Sequence, residues 1–358
     1  YSPGNGREAD PIRKQRKSEH LVIANRLSDG PVSPGFEDIR LINNSLPELS
    51  LDEIDLSLNF LGKELQYPLM VNALTGGTAQ ALAINRSLAR MALKYSLPMA
   101  VGSQSIALES PEAGPSFSIV RDINPNGIIL ANMNAATRVE EALEAVRMIS
   151  ADALQLHFNV VQELAMTEGD RDFKGIVDNV RQIVHECPVP VIAKEVGFGF
   201  SREAAQCLWE AGIEIFDCGG QGGTNFIVIE DQRGGNFAGE LDTWGIPTAI
   251  SLMEILQLPV KQVIASGGIR SALDATKALT LGADLVGMAA PLLKAFVSGG
   301  LEALDQSLSG FFYRLKSVFL MCGARNLQEI RRKPLIILGE TAEYLRLRGI
   351  DPSCWARR

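Results

Sequence analysis

The sequence predicts a single (β/α)8 barrel, and three observations carry that prediction. From Pro68 onward, short runs rich in Val, Ile and Leu alternate with segments of helical period. The runs are apolar throughout, as strands of a parallel sheet covered on both faces must be. Eight of them can be counted over a length that suits one such barrel. An open, doubly wound sheet would show the same alternation, so periodicity does not by itself require closure; the number of units favours the barrel.

The strands are expected at Leu69–Ala73, Met99–Gly102, Gly127–Met133, Leu154–Phe158, Val191–Val196, Glu214–Cys218, Val263–Ala265 and Leu285–Met288. Helical stretches fall between them at Arg138–Ile149, Ile176–Glu186, Arg202–Ala211 and Ala272–Leu281. Residues 1–67 are expected as a flexible N-terminus and a basic arm packing on the barrel, 68–300 as the barrel, and 301–358 as C-terminal helices, all one structural domain. Residues 221–246 form a long glycine-rich insertion after the sixth strand, and loops of that length are usually functional or disordered.

Composition bounds the function. An apolar share of 46% in 358 residues supports a large core. The net charge of −8 argues against a nucleic-acid partner but leaves room for a small phosphorylated ligand. No apolar run approaches the roughly 18–20 residues of a membrane span, and no secretory signal is visible. The five cysteines are spread out with no C-x-x-C pair, which reads as free thiols in a reducing cytoplasm. Three histidines argue against a multi-histidine metal site. Self-association into a homo-oligomer is expected.

The polar and glycine residues fall at the C-terminal ends of the strands, where barrels of this kind build active sites. Ser266-Gly267-Gly268-Ile269 after the seventh strand and Gly287-Met288-Ala289-Ala290 after the eighth together point to a phosphate site, because glycines let the backbone approach an anion and helix N-termini then face it. Lys194 interrupts an apolar strand. It is either a cation paired with Glu195 or a neighbour, or one facing the barrel mouth; strand alternation forbids Lys194 and Glu195 from both pointing inward. After the fourth strand, Glu163 with Asn159 and Gln162 suits Mg2+, although spacing alone favours N-terminal capping by Asn159 with Gln162 and Glu163 in the first turn. His157 is either a satisfied core histidine or part of the site. The cluster from Arg13 to His20 is either a solvated patch or an arm that clamps a phosphate. Glu168-Gly169-Asp170-Arg171 carries the same ambiguity.

Taken in order, these motifs resemble the type 2 isopentenyl diphosphate isomerases. The match runs from Arg16 to about Gly349 and includes Arg16-Lys17-x-x-His20, Asn72-Ala73-x-Thr75-Gly76-Gly77, Gly102-Ser103-Gln104, His157-x-Asn159-x-x-Gln162-Glu163, Lys194-Glu195-Val196-Gly197 and Gly222-Gly223-Thr224-Asn225. The resemblance implies an enzyme that uses FMN and Mg2+ to interconvert isopentenyl and dimethylallyl diphosphate, with NADPH as reductant. It assigns flavin contacts to Leu74, Thr75, Gly76, Ser103, Asn132, Lys194 and Thr224, and the flavin phosphate to Gly267, Gly268, Ile269, Ala289 and Ala290. It places Arg16, Lys17, His20, His157 and Asn159 at the substrate diphosphate, Glu163 on Mg2+, and Gln162, as the catalytic residue, beside the reacting carbons. Leu74, Phe158, Asn134 and Ala290 depart from the family's usual Met, Leu, Gly and Gly. Two other readings compete: a 2-hydroxy-acid oxidase or dehydrogenase, whose histidine base the seventh-strand loop lacks, and a barrel that binds flavin or phosphate without catalysis.

Overall fold

The computed structural model describes residues 31–358 together with Glu19 and Ile23. Eight parallel strands close into a barrel: β1 (Leu69–Val71), β2 (Met99–Ala100), β3 (Ile129–Asn134), β4 (Ala153–Phe158), β5 (Val191–Glu195), β6 (Ile215–Asp217), β7 (Gln262–Ser266) and β8 (Leu285–Met288). Closure rests on β8 pairing back to β1, with Val286 opposite Leu69, Gly287 opposite Met70 and Met288 opposite Val71. The open-sheet alternative is thereby excluded.

The apolar runs are explained by two cores that share each strand. Met70, Leu130, Ile192, Ile264 and Leu285 point into the barrel. Their neighbours Leu69, Val71, Ile129, Ala131, Ala193, Val263 and Val286 point outward to the surrounding helices. Successive strand residues face opposite sides, so both sides must be apolar when both are buried. The expected strands end one or two residues beyond the observed ones at Ala73, Gly102 and Cys218; Ala73 and Gly102 already belong to the loops of the mouth.

The opposite end is stoppered. A hairpin, Leu58–Phe60 with Lys63–Leu65, turns on Leu61 (φ 50°) and Gly62 (φ 77°), as a tight hairpin turn requires. It inserts Phe60 and Leu65 into the inner layer. Lys63 ties it to the barrel through Asp152 (2.7 Å), which also meets Arg121 (2.5 Å). Access is therefore from the C-terminal end of the strands.

Outside the barrel, Ile39–Leu41 pairs antiparallel with Leu335–Ile337, so segments from the two ends of the described chain hold each other. The helical run Ala290–Met321 breaks at Gly299–Gly300, and its second part packs through Leu304, Leu308, Phe311 and Phe312; Tyr67 stacks on Phe312 at 3.7 Å. The glycine-rich insertion is structured. It contains the short helix Phe226–Gln232, capped by the Asn225 side chain, whose amide also donates to the Asp242 carbonyl at 2.7 Å. Among the described residues no helix is long and apolar enough to cross a membrane, and all five cysteines are free thiols.

Candidate active site at the open end of the barrel

A cavity of about 1310 Å³ opens between the loops that follow all eight strands. Ligand pockets usually measure roughly 300–1,000 Å³, so this one has room for more than one small molecule.

Its floor is polar. Lys194 on β5 points inward and donates to Asp217 Oδ2 on β6 at 2.9 Å; the Asp217 side chain is fully buried. The same oxygen accepts from Asn72 Nδ2 at 2.9 Å, and Oδ1 accepts from the Ser266 hydroxyl. A buried carboxylate is tolerable only when paired and hydrogen-bonded in this way. The cation facing the mouth and the cation paired with a neighbour are thus the same Lys194, and the neighbour is Asp217. Glu195 turns the other way, as alternation demands, and accepts from the N–H groups of Phe198 (2.6 Å) and Gly199 (2.8 Å). Burial pushes its carboxyl up to about 8, against the pull of those two bonds and of Lys194.

The loops after β6, β7 and β8 form a backbone cradle. Gly267 (φ 101°) and Gly268 (φ 77°) adopt a conformation that L side chains rarely enter. A Cβ on Gly267 would lie 2.1 Å from the Gly220 carbonyl oxygen, and one on Gly268 would lie 2.4 Å from that of Gly222. Arg270 holds the loops together by donating to the Gly268 carbonyl (3.0 Å) and to that of Gly222. Ala289 is the N-cap of the helix beginning at Ala290, and both residues line the same cavity as Gly267 and Gly268.

The β4 loop carries the most specific chemistry. Asn159 occupies the N-cap position of the helix Val160–Ala165, yet its side chain makes no cap bond. It instead donates to Glu163 Oε1 at 2.8 Å and accepts from Asn134 Nδ2 at 2.8 Å. The capping favoured by spacing is corrected here: Asn134, present where the resembling family often has glycine, draws the amide off the helix end. Glu163 Oε2 accepts from the Asp170 N–H at 3.0 Å, and Arg171 donates to the Glu163 carbonyl. Gly169 passes so close that a Cβ would sit 2.0 Å from that carbonyl. The charged turn is therefore the holder of Glu163. Gln162 Nε2 donates to Glu230 at 3.2 Å, and Glu230, buried, pairs with Arg233. Arg233 also meets Glu19 (2.9 Å) and Glu168 (3.3 Å), and these carboxylates hold its guanidinium firmly protonated.

Of the positions singled out by sequence, Leu74, Thr75, Ser103, Asn132, His157, Asn159, Gln162, Glu163, Lys194, Thr224, Gly267, Gly268, Ile269, Ala289 and Ala290 all line this cavity. Gly76 does not; it lies against Phe117, whose ring a Cβ would meet at 1.9 Å. Arg16, Lys17 and His20 lie outside the described residues. Sequence reasoning missed Asp217, Gln155, Glu230 and Arg233. Asp217 and Gln155 each interrupt an apolar strand as Lys194 does, a signal available for all three.

The residues present fit a flavin nucleotide. Thr75 Oγ1 is buried at the cavity with no protein partner among the described residues, a hydroxyl that a polar ligand there could satisfy. Gly267, Gly268, Ala289 and Ala290 line the cavity as candidates to hold a phosphate, and Lys194 adds a cation on its floor. For Mg2+ the fit is that of a single carboxylate, Glu163, held by an amide and a backbone N–H; a cation binding there would complete its shell with phosphate oxygens and water.

Comparison with known proteins agrees. The profile of the FMN-dependent dehydrogenase family matches residues 134–337. The chain is 49% identical over 335 residues to isopentenyl-diphosphate delta-isomerase of Moorella thermoacetica, covering 93% of this chain and 96% of that one. It is 45% identical over 348 residues to the enzyme of the same name from a Geobacillus species, covering 97% and 99%. Among solved structures, a mandelate oxidase carrying an FMN adduct superposes with a TM-score of 0.62 at 17% identity, over 94% of this chain and 97% of that one, a likeness of fold.

Proposed function

The chain belongs to the isopentenyl-diphosphate delta-isomerases within the FMN-dependent dehydrogenase family, and on that premise we propose that it interconverts isopentenyl and dimethylallyl diphosphate using FMN and Mg2+. The observation that carries the reading is the pairing, in one cavity, of a glycine cradle with a separate polar cluster on the β4 loop. One suits the cofactor's phosphate and the other a diphosphate substrate.

In this reading Gly267, Gly268, Ile269, Ala289 and Ala290 hold the FMN phosphate. Leu74, Thr75, Ser103, Asn132, Lys194 and Thr224 surround the ring system, with Lys194 supplying positive charge where Asp217 fixes it. Reduced FMN supplies an electron-rich surface able to stabilise cationic character in an alkene, with NADPH as the electron donor. His157 and Asn159, together with Arg16, Lys17 and His20, bind the diphosphate, and Glu163 holds Mg2+ against it. That neutralises the substrate's anion and fixes its tail, converting binding energy into orientation. Gln162 is the side chain placed beside the reacting carbons. Its amide nitrogen is given to Glu230, so its carbonyl oxygen is the end left to meet a proton in the cavity.

Oxidation of a 2-hydroxy acid is disfavoured because the β7 loop, Ser266 to Arg270, contains no histidine to act as base. The five free thiols suit a reducing cytoplasm. The test is an anaerobic assay with isopentenyl diphosphate, reduced FMN and Mg2+, omitting each component in turn. Turnover that needs all three is expected. Tight FMN binding without turnover would instead favour a non-catalytic flavin binder, and turnover of hydroxy acids alone would reverse the assignment.

A further inference from the structure

Four side chains run in a line from the buried anion to the imidazole at the mouth. Gln155 Nε2 lies 3.4 Å from Asp217 Oδ2, Asn132 Nδ2 lies 3.2 Å from Gln155 Oε1, and His157 Nδ1 lies 2.9 Å from Asn132 Oδ1. Gln155 and Asp217 are fully buried and Asn132 is 3% exposed, so the line lies within the protein. Either amide could be turned over with little change in shape. Turning both would reverse every donor and acceptor along the line, and with them the ring nitrogen that carries hydrogen.

The Asp217 end decides. Paired with Lys194 and accepting from Asn72, it is an ionised carboxylate and can only accept. The 3.4 Å contact is long for a hydrogen bond, so its sign matters more than its strength: a reversed amide would set a carbonyl oxygen against a buried anion. Gln155 therefore turns its NH2 to Asp217 and its carbonyl to Asn132. Asn132 gives its NH2 to Gln155 and its carbonyl to His157. A carbonyl accepts only, so His157 Nδ1 carries the hydrogen.

We propose that Gln155 is a positioning residue that fixes neutral His157 in its Nδ1–H form. An anionic oxygen bound at this ring would need a hydrogen on Nε2 as well, which leaves the Nδ1–H bond to Asn132 in place.

The test is a long-range 1H–15N spectrum of the full-length, FMN-loaded protein near pH 8.5, where a histidine of ordinary pKa is neutral (about 6.5). With three histidines in the sequence, His157 is identified by the signal lost in His157→Gln. The wild type is expected to show the Nδ1–H pattern at His157. Gln155→Met, which keeps the side-chain length and removes both polar atoms, is expected to shift the population toward Nε2–H while leaving His185 unchanged. Asn132→Leu, which removes the acceptor directly, should do the same. A wild-type Nε2–H pattern overturns the proposal without reference to any variant, and so does a His157 pattern that Gln155→Met leaves unaltered.

Discussion

Lys194→Met tests the polar floor most directly, because it removes the charge while keeping much of the stem. The Lys194 side chain is 10% exposed and that of Asp217 0%, so the mutant strands a carboxylate beyond the reach of water. Breaking a buried pair from one side costs about 3–5 kcal/mol. Asp217 keeps the Asn72 and Ser266 hydrogen bonds, which places the expected loss at the low end, about 3 kcal/mol. For a chain of this size that corresponds to a fall in Tm of about 6 °C, at roughly 2 °C per kcal/mol. Urea unfolding of the FMN-free protein is the assay, since cofactor binding would add its own stabilisation to the wild type. The companion variant Asp217→Asn leaves the cation unpaired instead. Combining the two removes both charges, and a coupling of about 2 kcal/mol or more is expected from the double-mutant cycle. A loss under about 1 kcal/mol in Lys194→Met, or a double mutant that costs the full sum of the singles, would refute the idea that Asp217 is the anion holding Lys194.

Glu195 titrates from a carboxyl raised to about 8, so between its unfolded value near 4.5 and 8 the folded state binds the extra proton. Stability should be fully present below about 4.5, decline as pH rises through that window and level off above 8; Glu195→Gln, which mimics the protonated acid, should remove this decline in pH-dependent unfolding, and an unchanged slope would count against it. Gly267→Ala must push its Cβ into the Gly220 carbonyl and strain a φ of 101°, so FMN affinity by fluorescence titration should fall at least about tenfold, or 1.4 kcal/mol. Wild-type affinity in that variant would remove the cradle from the phosphate site. Glu163→Gln keeps the hydrogen-bonding shape but loses the charge, and should raise the Mg2+ concentration needed for half-maximal activity by about tenfold or more with FMN content unchanged. An unaltered Mg2+ requirement would release Glu163 from that role.

Which of these groups could be read from the sequence depends on the range of the forces that place them. Strand order follows from apolar runs, because burial on both faces forces every residue of β1 or β8 to be apolar. Closure follows only from the pairing of β8 with β1, a contact between residues more than two hundred apart. The same division holds in the site. Gly267 and Gly268 are legible because a tight backbone path needs them at that point of the chain. Local spacing made Asn159 a helix cap, but a partner on the neighbouring strand, Asn134, outcompeted the helix end for its amide. Lys194 declared itself as a charge in an apolar strand, whereas its counter-ion did not, since Glu195 beside it was the nearer carboxylate along the chain. In a barrel the relevant distance runs across the sheet: Lys194 stands in register with Asp217 on one side and with His157 on the other. A polar residue inside such a strand is therefore best paired by searching the same level of the two adjacent strands, and Asp217 and His157 are what that search returns for Lys194.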